Sequence, residues 1–151
     1  MTKSFMMKLD EIQPSQLFIN SEKLSLVMKT FDANPRSIEF IPVKKIGDQV
    51  AFVDGHTRAF ASFLRGISEV KVYWEEDELD WDAYEVCVDW CKKEGINTIA
   101  DLKERVIPSK EYQVLWLDRC EKMQRDKNVQ KPRVTAKSAH RRPSSGHACQ
   151  D

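Results

Sequence analysis

Residues 49–64, QVAFVDGHTRAFASFL, change from one kind of local order to another within a single short stretch. Gln49 to Val53 is β-forming, Asp54-Gly55 supplies a tight turn, and Ala59, Phe60, Phe63 and Leu64 then recur at helical spacing until Gly66. A strand that turns directly into an apolar helix must bury both against a common layer, which restricts the chain to a sheet with helices packed on it. The expected fold class is therefore α/β, of the α+β kind.

The flanking segments fit that expectation. Residues 38–46 are β-rich, and Gly47-Asp48 makes a turn that joins them to 49–53 as a hairpin. Pro42 suits an edge or a strand start. Residues 70–74 read as a third strand, with Val70 and Val72 alternating against Lys71 and Tyr73. Upstream, residues 5–19 read as short extended pieces around Pro14. Ser21 is expected to cap a helix over 21–31, whose buried face is Leu24, Val27, Met28 and Phe31, and Asn34-Pro35 ends it.

Past Trp74 the pattern becomes helical. An acidic run (Glu75, Glu76, Asp77, Glu78, Asp80, Asp82) leads into a helix with Trp81, Tyr84, Cys87, Val88 and Cys91 on one stripe, closed by Gly95. Thr98 caps a short helix with Asp101 in its first turn, bounded by Pro108. Ser109 starts a longer one, with Tyr112, Leu115, Trp116, Cys120 and Met123 as its stripe. Three parts are expected: an α/β domain over 1–74, a helical extension packed on it over 75–123, and a basic tail over 124–151. The tail has no apolar periodicity and is expected to be disordered.

Charge follows the same division. The chain has 24 basic and 24 acidic side chains. Seven basic and two acidic ones fall in 124–151, which leaves 17 basic against 22 acidic in 1–123. The neutral total is a cancellation, and the acidic body argues against a general attraction to nucleic acid or anionic lipid. No apolar run approaches the roughly 20 residues needed to span a bilayer, so no membrane partner is expected. The N-terminal apolar cluster, Phe5 to Met7, is too short for a signal peptide's core. Four cysteines in 151 residues are too sparse for a disulfide framework, and the expected location is the cytoplasm.

Chemistry is most legible at Asp54-Gly55-His56-Thr57-Arg58. A helix start presents unpaired N–H groups and the positive end of the peptide dipoles, which favours an anion. Gly55 permits the tight turn, Thr57 adds a hydroxyl, and Arg58 adds a fork of donors suited to phosphate or carboxylate. His56 can donate a hydrogen bond or move a proton near neutral pH, and Asp54 can orient His56 or hold Mg²⁺ through water. The plainer reading is that Asp54 caps the helix, with His56 and Arg58 solvated in its first turn.

Taken with Leu9-x-x-Ile12-x-Pro14, the helix over 21–31 and Ile41-Pro42-Val43 before the hairpin, DGHTRAFA resembles the ParB/sulfiredoxin-like superfamily over residues 8–74. That resemblance implies nucleotide-phosphate binding at the turn. His56 stands where sulfiredoxins carry their catalytic cysteine, so sulfinic acid reduction is not expected. His56 and Thr57 replace the Glu-Arg of the partition proteins' Gly-Glu-Arg-Arg, and no helix-turn-helix follows. The motif is most similar to the Asp-Gly-His-His-Arg of free-serine kinases, from which only Thr57 departs. This resemblance implies ATP or ADP with Mg²⁺ as cofactors, His56 and Asp54 in catalytic roles, Gly55, Thr57 and Arg58 as nucleotide-binding residues, and phosphoryl transfer to a small hydroxyl-bearing molecule. Those kinases also use an upstream glutamate near a Pro-x-Glu pattern. Here the stretch is Pro14-Ser15-Gln16, and Gln16 cannot act as a base; Glu11 and Glu22 lie nearby.

The departure at Gln16 favours a rival expectation, a non-catalytic nucleotide-sensing module that meets a protein partner through the extension. A third is DNA association through the basic tail. Cys87, Cys91 and Cys120 could be metal ligands, but the stripe they share with Tyr84 and Val88 makes buried thiols the expected state, and no metal site is assigned. The acidic run is expected to be a solvated loop and helix start.

Overall fold

A computed structural model describes residues 3–130. In chain order the elements are β1 (Ser4–Lys8), β2 (Ile19–Asn20), α1 (Ser21–Ala33), β3 (Ile41–Ile46), β4 (Gln49–Phe52), α2 (His56–Leu64), β5 (Glu69–Trp74), α3 (Trp81–Lys93), a 3₁₀ segment (Ile99–Glu104), β6 (Val106–Ile107), and α4 (Ser109–Tyr112). A π-helical turn (Gln113–Leu117) then joins α4 to α5 (Asp118–Gln130). The class is α+β with a C-terminal helical extension.

Four strands form a mixed sheet in the order β1-β5-β3-β4. The hairpin β3–β4 is antiparallel, β5 runs parallel to β3, and β1 closes the other edge antiparallel to β5. Gln13 caps the β4 edge with a single parallel bridge. Its N–H donates to the Val50 carbonyl at 2.8 Å, and its carbonyl accepts from the Phe52 N–H at 2.9 Å. An edge that would otherwise expose unpaired groups is thereby covered.

Helix α1 packs on α2, α3 lies along β3, and the 3₁₀ segment packs on α2. One continuous core runs through both parts of the chain. Ile12, Leu17, Ile41, Val43, Phe52, Phe60 and Val72 belong to it together with Tyr84, Cys87, Cys91, Ile99, Leu102, Tyr112 and Trp116. The extension also contributes a strand, because β6 pairs in parallel with β2. That pairing was not foreseen, since two residues are too few to show a period.

Three local expectations are corrected. The cap of α1 is Asn20 instead of Ser21: its Oδ1 accepts from the Glu22 N–H at 2.9 Å and the Lys23 N–H at 3.3 Å, and also from the Ser109 hydroxyl at 3.0 Å. Leu115 lies outside the buried stripe and is 45% exposed, because the wider π turn leaves Tyr112, Trp116 and Cys120 facing inward at a spacing of four. Helix α5 runs past position 124 to Gln130. Pairs one turn apart, Lys122 with Asp126 and Arg125 with Glu121, suit a helix without an apolar face, and Lys127 reaches back to Asp80 at 2.9 Å. The rest of the expected tail, 131–151, lies outside the described residues.

Because the core is shared, Leu102→Ala is expected to lower the stability of the entire chain by about 2–5 kcal/mol in one cooperative transition. Urea unfolding followed by far-UV circular dichroism and by tryptophan fluorescence checks this; two separate transitions would contradict it.

Candidate functional site

The β4–α2 junction is built around Gly55, whose φ of +80° lies in the left-handed region that favours glycine. Space matters here as much as backbone torsion. A Cβ at this position would stand 2.8 Å from Arg58 Nη2 and 3.2 Å from Ile41 Cγ2. The Arg58 guanidinium therefore lies directly over the glycine. Asp54 does not cap the helix; its Oδ1 accepts from the adjacent Gly55 N–H at 2.7 Å, and Gly55 occupies the cap position.

His56 sits in the interior. It is fully buried, and its Nε2 accepts from the Ser15 N–H at 2.9 Å, which puts the ring proton on Nδ1 in the neutral form. Nδ1 is buried without a partner. Burial lowers the imidazole pKa from 6.5 to about 3, with Asp54 opposing and Arg58 adding to the shift. The expected solvated or proton-moving histidine is thus, in this conformation, a neutral ring that positions the Ser15 backbone. Thr57 is buried beside it.

The segment that His56 holds carries the other buried polar groups. Ser15 Oγ donates to the Phe52 carbonyl at 2.8 Å, and Gln13 Nε2 to the Ile96 carbonyl at 2.8 Å. Gln16 Nε2 donates to the Phe18 carbonyl and to the Tyr112 hydroxyl, both at 2.9 Å. Gln16 is a structural tie between the N-terminal segment and the extension, and the nearby Glu11 and Glu22 are exposed. The polar stretch Gln13-Pro14-Ser15-Gln16 belongs to the segment read as short extended pieces around Pro14, with nothing in its composition to mark it as buried. The signal that could have marked it as interior is its position between Ile12 and Leu17, both fully buried.

Asp54 and Arg58 do meet in one open cleft of about 650 Å³, together with Arg36, Glu39, Phe40 and Tyr73. Arg58 Nη1 donates to the Phe40 carbonyl at 3.2 Å and the Glu39 carbonyl at 3.4 Å, and lies 3.9 Å from the Glu39 carboxylate. Its side chain keeps 22% exposure, so it is anchored yet reachable. Tyr73 has its pKa raised, first by burial and then by Glu75, with Asp54 and Asp77 adding and Arg58 opposing. Glu75 and Asp77 of the acidic loop are thus near enough to act on Tyr73. Sequence reasoning missed Arg36, Phe40 and Tyr73 as neighbours of Arg58, since separate elements bring them together.

The remaining candidates are structural. Cys87 and Cys91 are free and buried, and burial pushes the Cys87 thiol up to about 12. Among the described residues no group of three or more His, Cys, Asp or Glu side chains is placed to hold a metal ion. Asp80 caps α3 by accepting from the Ala83 N–H at 3.2 Å. No described helix is long and apolar enough to cross a membrane.

No family model matches the chain, and no curated protein matches it. Among solved structures it is similar to protein Atu1540 from Agrobacterium tumefaciens, with a TM-score of 0.48 and 15% identity. The match covers 68% of this chain and 62% of that one, so the chain spans under two thirds of that protein's length.

The lowered His56 pKa has a sign that can be tested. The unfolded chain takes up a proton near pH 6.5 that the folded chain refuses until about pH 3, so this group's contribution to stability is present above 6.5 and is lost as pH falls through that window. The expected loss is about 1.4 kcal/mol per pH unit between those limits. His56→Gln keeps an acceptor for Ser15 but does not titrate. Its stability should fall less steeply between pH 6.5 and 4 in denaturant titrations, and parallel slopes would contradict the assignment.

Proposed function

We propose that the cleft at the start of α2 binds the phosphate of a nucleotide, with Arg58 as its principal donor. The observation that carries this is the Arg58 guanidinium, held over Gly55 and against the Phe40 carbonyl while still reachable from a cleft that Arg36 also lines. The helix dipole favours an anion at the same end. The ParB/sulfiredoxin-like resemblance of DGHTR points the same way, with ATP or ADP as the nucleotide, and Mg²⁺ held through Asp54.

Calorimetric titration with ATP and ADP, with and without Mg²⁺, tests the reading. Arg58→Ala is expected to weaken binding by about tenfold or more. Equal binding by both proteins, or none by the wild type, would sink it.

Two uses of such a site are favoured by different observations. Asp54 borders the cleft and is the candidate to take a proton or hold Mg²⁺ in phosphoryl transfer to a small hydroxyl compound. Label transfer from ATP or ADP to a small-molecule panel, lost in Asp54→Asn while nucleotide binding persists, is the expected outcome for a kinase; no labelled product would reject it. Gln16, buried and engaged with Tyr112, and the exposed Val114 and Leu115 on the extension favour a non-catalytic nucleotide-sensing module that docks a protein partner. DNA association through the tail is a separate reading that does not involve this site: removing residues 131–151 should abolish a salt-sensitive DNA affinity, and unchanged binding would exclude it. A cytoplasmic location fits all three.

A further inference from the structure

Beside its charged side chains the cleft is lined by Ile38, Pro42, Tyr73 and, the most exposed of these, Phe40. Phe40 lines it and is 47% exposed. An aromatic ring this exposed gains nothing from water. Its position relative to the anion donor is nevertheless well determined, because Arg58 Nη1 hydrogen-bonds the carbonyl of Phe40 itself at 3.2 Å. The same contact fixes both the guanidinium and the backbone from which the ring projects. Lys71 Nζ lies over the ring, 5.0 Å from its centroid, so a cation already meets one face and a ligand would stack on the other. The volume, about 650 Å³, is far larger than a bare phosphate needs and falls in the range of small-molecule sites.

We infer that Phe40 is a specificity-determining residue that stacks a planar heteroaromatic ring of the ligand while Arg58 holds its phosphate. The inference rests on the phosphate-binding reading above and adds the residue that recognises the base. A nucleoside phosphate is selected over inorganic polyphosphates and aliphatic phosphate esters, because only the former covers the ring. Stacking tolerates different bases, so the selection is for a planar ring more than for one base.

The test compares ATP with tripolyphosphate, which carries three linked phosphates and no ring, by calorimetry at the same Mg²⁺ concentration. The wild-type chain is expected to bind ATP about tenfold more tightly than tripolyphosphate. Phe40→Ala should remove that difference by weakening ATP alone, and Phe40→Trp should keep it. The Arg58 contact is to a main-chain carbonyl, so tripolyphosphate affinity should survive Phe40→Ala and reports that the variant is folded and its phosphate site intact. Equal affinity of the wild type for the two ligands, or unchanged ATP affinity in Phe40→Ala, would overturn the stacking role and leave the phosphate site standing. A parallel loss of both ligands in Phe40→Ala would also overturn stacking, since Phe40 would then act through Arg58. If neither ligand binds the wild type, the phosphate-binding reading falls and this inference with it.

Discussion

The hydrogen bond from the Ser15 N–H to His56 Nε2 ties the buried segment 12–17 to the start of α2. Residues 12–17 run through the interior between the β4 edge, the start of α2 and the C-terminal helices. Their polar groups are buried, so each unmet donor or acceptor would cost about 1–3 kcal/mol. Gln13 spends its main chain on β4 and its amide on Ile96, Ser15 meets Phe52 and His56, and Gln16 meets Tyr112. The neutral imidazole is therefore a requirement of the fold. A protonated ring would lose its acceptor at Nε2 and bury a charge without a partner.

That arrangement decides what the α2 terminus can do. With His56 and Thr57 turned into the interior, the side chains left at the cleft are Asp54 and Arg58. Arg58 is oriented by Gly55 below it and by two main-chain carbonyls beside it, while the acidic loop after β5 sits beyond Tyr73. The guanidinium groups of Arg36 and Arg58 share the cleft with the carboxylates of Glu39 and Asp54. The excess of acidic over basic residues in 1–123 makes the local cations at Arg36 and Arg58 more consequential for any anion that enters.

Much of the architecture was legible in the residues. The strand–turn–helix at 49–64, the hairpin at Gly47, the stripe of Tyr84, Cys87, Val88 and Cys91, and the Thr98–Asp101 capping box are each set by neighbours within a few positions. The shift of the α1 cap from Ser21 to Asn20 was less legible, because both residues are good caps and the choice is settled by Ser109, far away in sequence. The π turn had no visible mark. It follows from keeping Tyr112, Trp116 and Cys120 all in the core. The end of α5 was hidden for another reason: ion pairs and the Lys127–Asp80 contact support it, and an apolar period does not.

By itself the sequence determined the local elements, the position of the glycine turn and the presence of Asp54 and Arg58 at a helix start, because those depend on short-range torsion, capping and periodicity. Only the tertiary structure decided which of the motif's side chains face solvent. His56 and Arg58 are two positions apart on one helix, yet one is sealed by Ser15 and the other opens onto a cleft with Arg36, Phe40 and Tyr73. Burial and hydrogen-bond pairing between distant segments made that distinction, and no spacing within the motif carries it.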